Sequence, residues 1–361
     1  MNPSLPTAIG GLTFLCRPGF EPECASEVQS TLADRAISGY CKTKTGDGFG
    51  VFHAHDRAGM AHAAPHVDTR ALTFVRQGIW LTGIADALPE HDRLSMLLDQ
   101  LPAGPFGALR LESPDTNAGK AVQTFCRQFA PHMERALRQR GMLREDSNGL
   151  PNLHLLFPHS RAAYIGVTDP ARAWPWLGGF PRLKMPRDAP SRSTLKLDEA
   201  IQTFLTPEQR QRWLRPGLSA VDLGAAPGGW TWQLVRRGLH VTAVDNGSMA
   251  PELYATGLLE HCRADGFRYR PSSKVDWLVC DMVEQPQRVA RLVAEWFARG
   301  DCHHAIFNLK LPMKQRHAMV QDCAALLRTE LERNTPAHVL RLRQLYHDRE
   351  EVTGFVTVDR V

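Results

Sequence analysis

The chain has 361 residues, 43% of them hydrophobic and 22% charged, which is too long for one small core and apolar enough to bury two or three. No apolar run of 18 or more residues occurs, the opening MNPSLPTAIGGL lacks the basic and apolar segments of a secretory leader, and eight cysteines are scattered without a CxxC pair. A membrane-spanning helix and a cysteine metal cluster are thereby excluded and a reduced, metal-free cytoplasmic protein is expected, while the net charge of +5 suits polyanionic partners without assigning one.

From the N-terminus, GGLTFLCRPG reads as a glycine-bounded strand, EPECASEVQSTLADRA as a helix and GDGFGVFHAH as a second strand after a turn, a small α+β unit. TRALTFVRQGIWLTGI follows as a buried strand or hairpin, HDRLSMLLDQL as a helix and FGALRLES as a strand. AVQTFCRQFAPHMERALRQRG has the spacing of a long amphipathic helix interrupted at Pro131, and it carries Arg127, Arg135, Arg138 and Arg140. LHLLFPHSRAAYIGVTD fits a hairpin, after which prolines, glycines, tryptophans and basic residues mix without period, so the main linker is placed around residues 174–192.

Beyond the linker the pattern alternates strand and helix, as in a doubly wound parallel sheet. LSAVDLGAA, LHVTAVDN, VDWLVCDM and HHAIFNLKL are short apolar runs suited to strands buried on both faces. WTWQLVRRG, RVARLVAEWFARG and MKQRHAMVQDCAALLRTELERN read as the helices, and HVLRLRQLYHDREEVTGFVTVDR as a closing hairpin at the sheet edge.

The sharpest motif is Val221-Asp222-Leu223-Gly224-Ala225-Ala226-Pro227-Gly228-Gly229-Trp230, between the first of these strands and its helix. Its glycines let backbone approach a ligand without a Cβ clash. Twenty-one residues after Gly224, Asp245 ends the second strand, where a carboxylate can accept from both hydroxyls of a ribose. A nicotinamide dinucleotide would need an open G-x-G-x-x-G loop for its pyrophosphate, but Ala226 and Pro227 stand there, so an adenosine cofactor without phosphates fits better.

The run D-L-G-A-A-P-G-G-W resembles the cofactor loop of the FtsJ-like ribose 2′-O-methyltransferases, whose fold is a Rossmann-like sheet binding S-adenosylmethionine. That group works with a lysine, aspartate, lysine, glutamate tetrad. The resemblance implies its members at Lys196 in STLKL, Asp281 ending VDWLVCDM, Lys310 ending HHAIFNLKLP, and a glutamate in REEVT, where Glu351 matches the pattern better than Glu350. More narrowly, PSRSTLKL, VDLGAAPGGW, VCDM, FNLKLPMK and LYHDREEVT together resemble the bacterial 23S rRNA cytidine 2′-O-methyltransferases. The match is dense in the C-terminal half and rests mainly on element order in the N-terminal half. It implies a ferredoxin-like α+β domain over 1–90, a THUMP-like RNA-binding domain over 91–175, a linker at 176–192, and over 193–361 a Rossmann-like methyltransferase domain, mostly parallel with an antiparallel edge hairpin. By the same resemblance Lys310 is the base, and cofactor contacts fall on Ser193, Ala226, Pro227, Gly228, Gly229, Asp245, Asp265 and Asp281. The expected partner is 23S ribosomal RNA, acted on by a monomer, with neither DNA nor membrane involved.

The chemistry asks for such a set independently. A ribose hydroxyl is a poor acid, so a basic group must take its proton as the oxygen attacks a methyl carbon. Two lysines at one site repel, and desolvation pushes the same way, so one of them is expected to have a lowered pKa. Lys310 would be oriented by Asp281, with Lys196 and Glu351 as the pair that positions the hydroxyl. Asp265, in an Asp-Gly pair, is read either as holding the adenine amino group or as a plain turn residue. The arginine-bearing helix and the segment with Trp174, Trp176, Arg182, Lys184, Arg187 and Arg192 combine cations with aromatic faces, as RNA-gripping surfaces do. A base-modifying methyltransferase would show a Pro-Pro-aromatic or Pro-Cys loop, and neither occurs. A non-catalytic RNA-binding or assembly protein and a methyltransferase of another RNA such as tRNA remain as rivals.

Overall fold

The structure is a computed structural model that describes residues 5, 6, 8–144, 149–335 and 337–358. It divides into two compact units, Met1–Phe180 and Pro181–Val361.

The first unit runs β1 (Gly11–Leu15), α1 (Glu21–Ala33), β2 (Gly39–Thr43), β3 (Phe49–Ala54), α2 (Arg57–Ala63), β4 (Gln77–Ala85), α3 (Arg93–Leu98), β5 (Ala108–Glu112), α4 (Asn117–Gln139), β6 (Asn152–His159) and β7 (Ala162–Thr168). Its strands form one seven-stranded sheet in the order β2-β3-β1-β4-β7-β6-β5, so the sheet continues across the boundary expected at residue 90. The join is β4 against β7, antiparallel, with Trp80 opposite Val167. α4 is one helix with Pro131 inside it, not two. A proline removes one backbone donor, but Val122 and Cys126 before it and Met133 and Leu137 after it keep a single buried stripe, which holds the helix together. The first part of the expected linker packs on this unit: Leu177–Gly179 makes a tight turn, and the Gly178 N–H donates to the buried carboxylate of Glu112 at 2.8 Å.

The second unit runs α5 (Thr194–Phe204), α6 (Pro207–Trp213), β8 (Ser219–Leu223), α7 (Gly229–Val235), β9 (His240–Val244), α8 (Pro251–Tyr254), β10 (Leu259–Cys262), β11 (Val275–Cys280), α9 (Pro286–Arg299), β12 (Cys302–Lys310), α10 (Arg316–Asn334), β13 (Val339–Arg343) and β14 (Glu351–Thr357). The order is β10-β9-β8-β11-β12-β14-β13, parallel from β10 to β12, with β14 antiparallel to both neighbours. Strand side chains alternate between faces, so Leu278 and Cys280 pack with α9 and α10 while Trp277 and Val279 pack with α5, α6 and α7. Burial on both faces explains the continuous apolar runs. The chain steps outward from β8 to β10 and then returns to β11 on the other side of β8, so the carboxyl ends of β8 and β11 flank the switch point, the usual crevice of such sheets.

Candidate active site

The loop after β8 opens the crevice. Gly224 has φ +75, and a Cβ there would lie 2.6 Å from the Met282 side chain, so only glycine lets the loop pass that close to the turn after β11. A Cβ on Gly229 would overlap the hydroxyls of Ser191 and Ser193, which lie 2.7 Å apart against the start of α7. Asp245, directly after β9, clasps the same loop: it accepts from the Ala226 N–H at 3.0 Å and the Gly247 N–H at 2.7 Å. A carboxylate has room for about four such bonds, so both oxygens keep acceptor capacity for vicinal hydroxyls. Ser193, Ala226–Gly229 and Asp245 thus border one backbone cradle. Asp265 is exposed and accepts from the Phe267 N–H at 2.9 Å, the turn role open to it from sequence, with Arg268 3.7 Å from its second oxygen. Behind the loop, Asp222 is fully buried and accepts from the Thr231 hydroxyl at 2.7 Å. Burial, aided by the charges of Asp281 and Asp245, pushes its carboxyl up to about 7 against that hydrogen bond.

The four ionisable residues meet beside this cradle. Lys196 comes from α5, Asp281 directly follows β11, Lys310 ends β12, and Glu351 opens β14. The β12–β14 register sets Lys310 opposite Glu351, which makes them a cross-strand pair on one face. The Lys310 ammonium donates to Asp281 Oδ1 at 2.5 Å and to Glu351 Oε2. Lys196 Nζ pairs with Glu351 Oε1 and lies 3.5 Å from Asp281 Oδ2. Cations and anions therefore alternate around a ring, and each lysine touches both carboxylates instead of forming the two separate pairs expected. Glu350 is apart from the ring: it is half exposed and paired with Arg316 at 2.7 Å.

This ring reverses the expected direction for Lys310. Burial pulls its ammonium down, but the charges of Asp281 and Glu351 and their hydrogen bonds outweigh it, and the group is pushed up to about 12. Repulsion between lysines loses because each ammonium sits between two carboxylates at contact distance.

Sequence reading missed the residues behind the ring. Glu199, buried one turn along α5 from Lys196, accepts from the backbone of Tyr346 and His347 at 2.7 and 3.0 Å, and so pins the loop that leads into Glu351. Asn308 and Thr353 face each other two residues in from Lys310 and Glu351. Period-two alternation puts them on the same face as the tetrad members, and that was the available sign. On the first unit, Arg127, Arg135 and Arg138 are exposed along α4, as is Arg140 directly after it. Trp174 and Trp176 stack on each other, rings 5.7 Å apart and 10° from parallel, so one face of each is already covered.

Among the described residues no helix is long and apolar enough to cross a membrane. Family models match along the chain: an RlmM ferredoxin-like domain at residues 10–79, the N-terminal region of ribosomal RNA large subunit methyltransferase M at 92–169, and an FtsJ-like methyltransferase at 189–309. The ribosomal RNA large subunit methyltransferase M of Azoarcus sp. (strain BH72) is 46% identical, the match covering 99% of both chains. The proteins of that name from Aromatoleum aromaticum and Methylococcus capsulatus are each 49% identical, over 96% and 97% of this chain and 95% and 99% of theirs. Cradle, ring and near full-length identity agree, and the chain belongs to the ribosomal RNA large subunit methyltransferase M family, with an FtsJ-like methyltransferase as its catalytic unit.

Proposed function

We propose that the protein transfers a methyl group from S-adenosylmethionine to the ribose 2′-hydroxyl of a cytidine in 23S ribosomal RNA, with Lys310 as general base. The ring of Lys196, Asp281, Lys310 and Glu351 beside the glycine loop carries this reading. S-adenosylmethionine supplies a methyl group already activated by a sulfonium leaving group. The chain's own residues do the rest. Asp245 accepts from the cofactor ribose, Ser193 and Ala226–Gly229 take its amino-acid end, and Asp265 accepts from the adenine amino group. Asp281 and Glu351 hold the Lys310 nitrogen in place, and Lys196 with Glu351 orients the target hydroxyl. RNA closing over the ring strips its remaining water, and desolvation is the largest single influence that pulls Lys310 down, so substrate binding itself favours the neutral amine.

All four ring residues belong to one chain, so a monomer suffices, and the cytoplasm is its proposed place of work. Residues 1–90 and 91–175, ferredoxin-like and THUMP-like, serve as the RNA-docking part. Recognition is best suited to unfolded or early-assembly RNA, where bases are splayed. The test is incubation with 23S rRNA lacking its modifications and methyl-labelled cofactor, with alkali-resistant linkages mapped. Label at one cytidine is the expected result; label only in transfer RNA, or binding without turnover, overturns the reading in favour of another RNA or a non-catalytic binder.

Two further outcomes are expected. Asp245→Ala weakens S-adenosylmethionine binding by about ten- to a hundredfold in calorimetric titration, the loss of charged hydrogen bonds, with RNA affinity retained. Replacement of Arg127, Arg135 and Arg138 by alanine weakens RNA binding evenly across sequences and lowers the salt slope by about one per lost phosphate contact, measured as Kd against salt concentration.

A further inference from the structure

A file of buried polar groups runs from the interior to the ring. Asn308, Thr353 and Asp348 are fully buried. The Asn308 amide donates to Asp281 Oδ1 at 2.8 Å, the same oxygen that accepts from Lys310. The Thr353 hydroxyl lies 2.7 Å from Asn308 Oδ1, and also 3.1 and 2.9 Å from the two oxygens of Asp348. Asp348 Oδ2 accepts from the Leu345 N–H at 2.9 Å.

Counting protons fixes the direction of this file. Thr353 has one hydroxyl proton. Asn308 turns its NH2 toward the Asp281 carboxylate, so its oxygen faces Thr353 and needs that proton. If Asp348 were ionised it would claim the same proton, and one of two buried acceptors would be left without a donor, which is costly in a dry interior. A proton on Asp348 Oδ1 removes the conflict: Asp348 donates to Thr353, Thr353 to Asn308, and Asn308 to Asp281, while Oδ2 keeps the Leu345 N–H.

We propose that Asp348 is a protonated positioning residue which, through Thr353 and Asn308, locks the Asp281 carboxylate in the orientation that holds Lys310. This rests on the reading of Lys310 as base. The surroundings support the neutral form. Burial raises the Asp348 carboxyl well above the usual carboxylate range, and the charges of Glu351 on β14 and Glu199 on α5 push the same way. The Leu345 N–H and Lys196 oppose them without prevailing. When Asp348 ionises, the Thr353 proton turns toward it, Asn308 loses its donor, and its amide is free to flip and present oxygen to Asp281. The ring then loses the bond that orients its base.

The test compares Thr353→Val, Thr353→Ser and Asp348→Asn by single-turnover rate across pH, with KM for RNA and cofactor. Thr353→Val removes the middle of the file and lowers kcat about tenfold with both KM values unchanged, whereas Thr353→Ser keeps the hydroxyl and the rate. The wild-type rate falls on the alkaline side as Asp348 ionises, a limb that a merely structural role would not produce. Asp348→Asn, neutral at every pH and able to donate from Nδ2, extends activity to higher pH and erases that fall. A Thr353→Val enzyme at wild-type rate, or an Asp348→Asn enzyme as slow as Thr353→Val, overturns the proposal. If Thr353→Val fails to fold, the alkaline limb in Asp348→Asn decides alone: its loss supports the lock and its persistence refutes it. Full activity in Lys310→Ala would instead sink the base assignment, a separate failure.

Discussion

Replacing Lys310 by alanine is expected to lower the single-turnover rate of methyl transfer by about a hundred- to ten-thousandfold, the usual worth of a positioned general base. Lys310→Arg is the sharper variant. A guanidinium keeps the positive charge between Asp281 and Glu351 but cannot lose its proton at working pH. Both variants should bind RNA and cofactor and fail at the chemical step. An active Lys310→Arg enzyme would mean that the group acts by its charge alone. Because the amine is the active form and the resting group is pushed up to about 12, the wild-type rate should rise with pH through the value Lys310 takes in the complex, up to the alkaline limb set by Asp348. Loss of either carboxylate neighbour makes the ammonium less stable and must move that rise toward lower pH.

Glu351 gives the second large effect. It bonds both lysines from a nearly buried position, so Glu351→Ala leaves two partly buried cations to share Asp281 and should destabilise the fold on the order of 3 kcal/mol in chemical denaturation, with activity falling alongside. Glu351→Gln preserves shape and shows the pH displacement more cleanly. The adjacent Glu350 is half exposed and pairs with a largely buried Arg316 away from the ring, and Glu350→Gln should leave the rate profile in place. Equal effects at the two positions would remove the distinction drawn between them.

Much of this site could be read before any coordinates. The core strands of the catalytic unit announce themselves because burial on both faces demands unbroken apolar runs, and the glycine loop because close backbone approach leaves few alternatives to glycine. Strand β2 escapes a sequence reading because Gly39, Tyr40, Lys42 and Thr43 are residues of a half-solvated edge, and β10 because four partly exposed residues carry too little period. The Lys310 shift runs against the expectation for a different reason. Sequence shows two lysines and two carboxylates but not that each cation touches both anions, and at contact distance that arrangement settles the sign. Asn308 and Thr353 share the tetrad's face by alternation, but nothing in the sequence ties them to Asp348, which lies in the loop before β14.

The shared sheet of the first unit has a bearing on how the protein can be divided. Separate family models end and begin at residues 79 and 92, which invites a cut between them. Yet β4 is hydrogen-bonded on one side to β1 and on the other to β7, which lies some eighty residues further along. A fragment stopped at the apparent seam would bare the nine-residue rim QGIWLTGIA, a template for strand addition by other copies, and would be recovered as aggregate. Neither segment is a free-standing cassette, and the two should be expressed together.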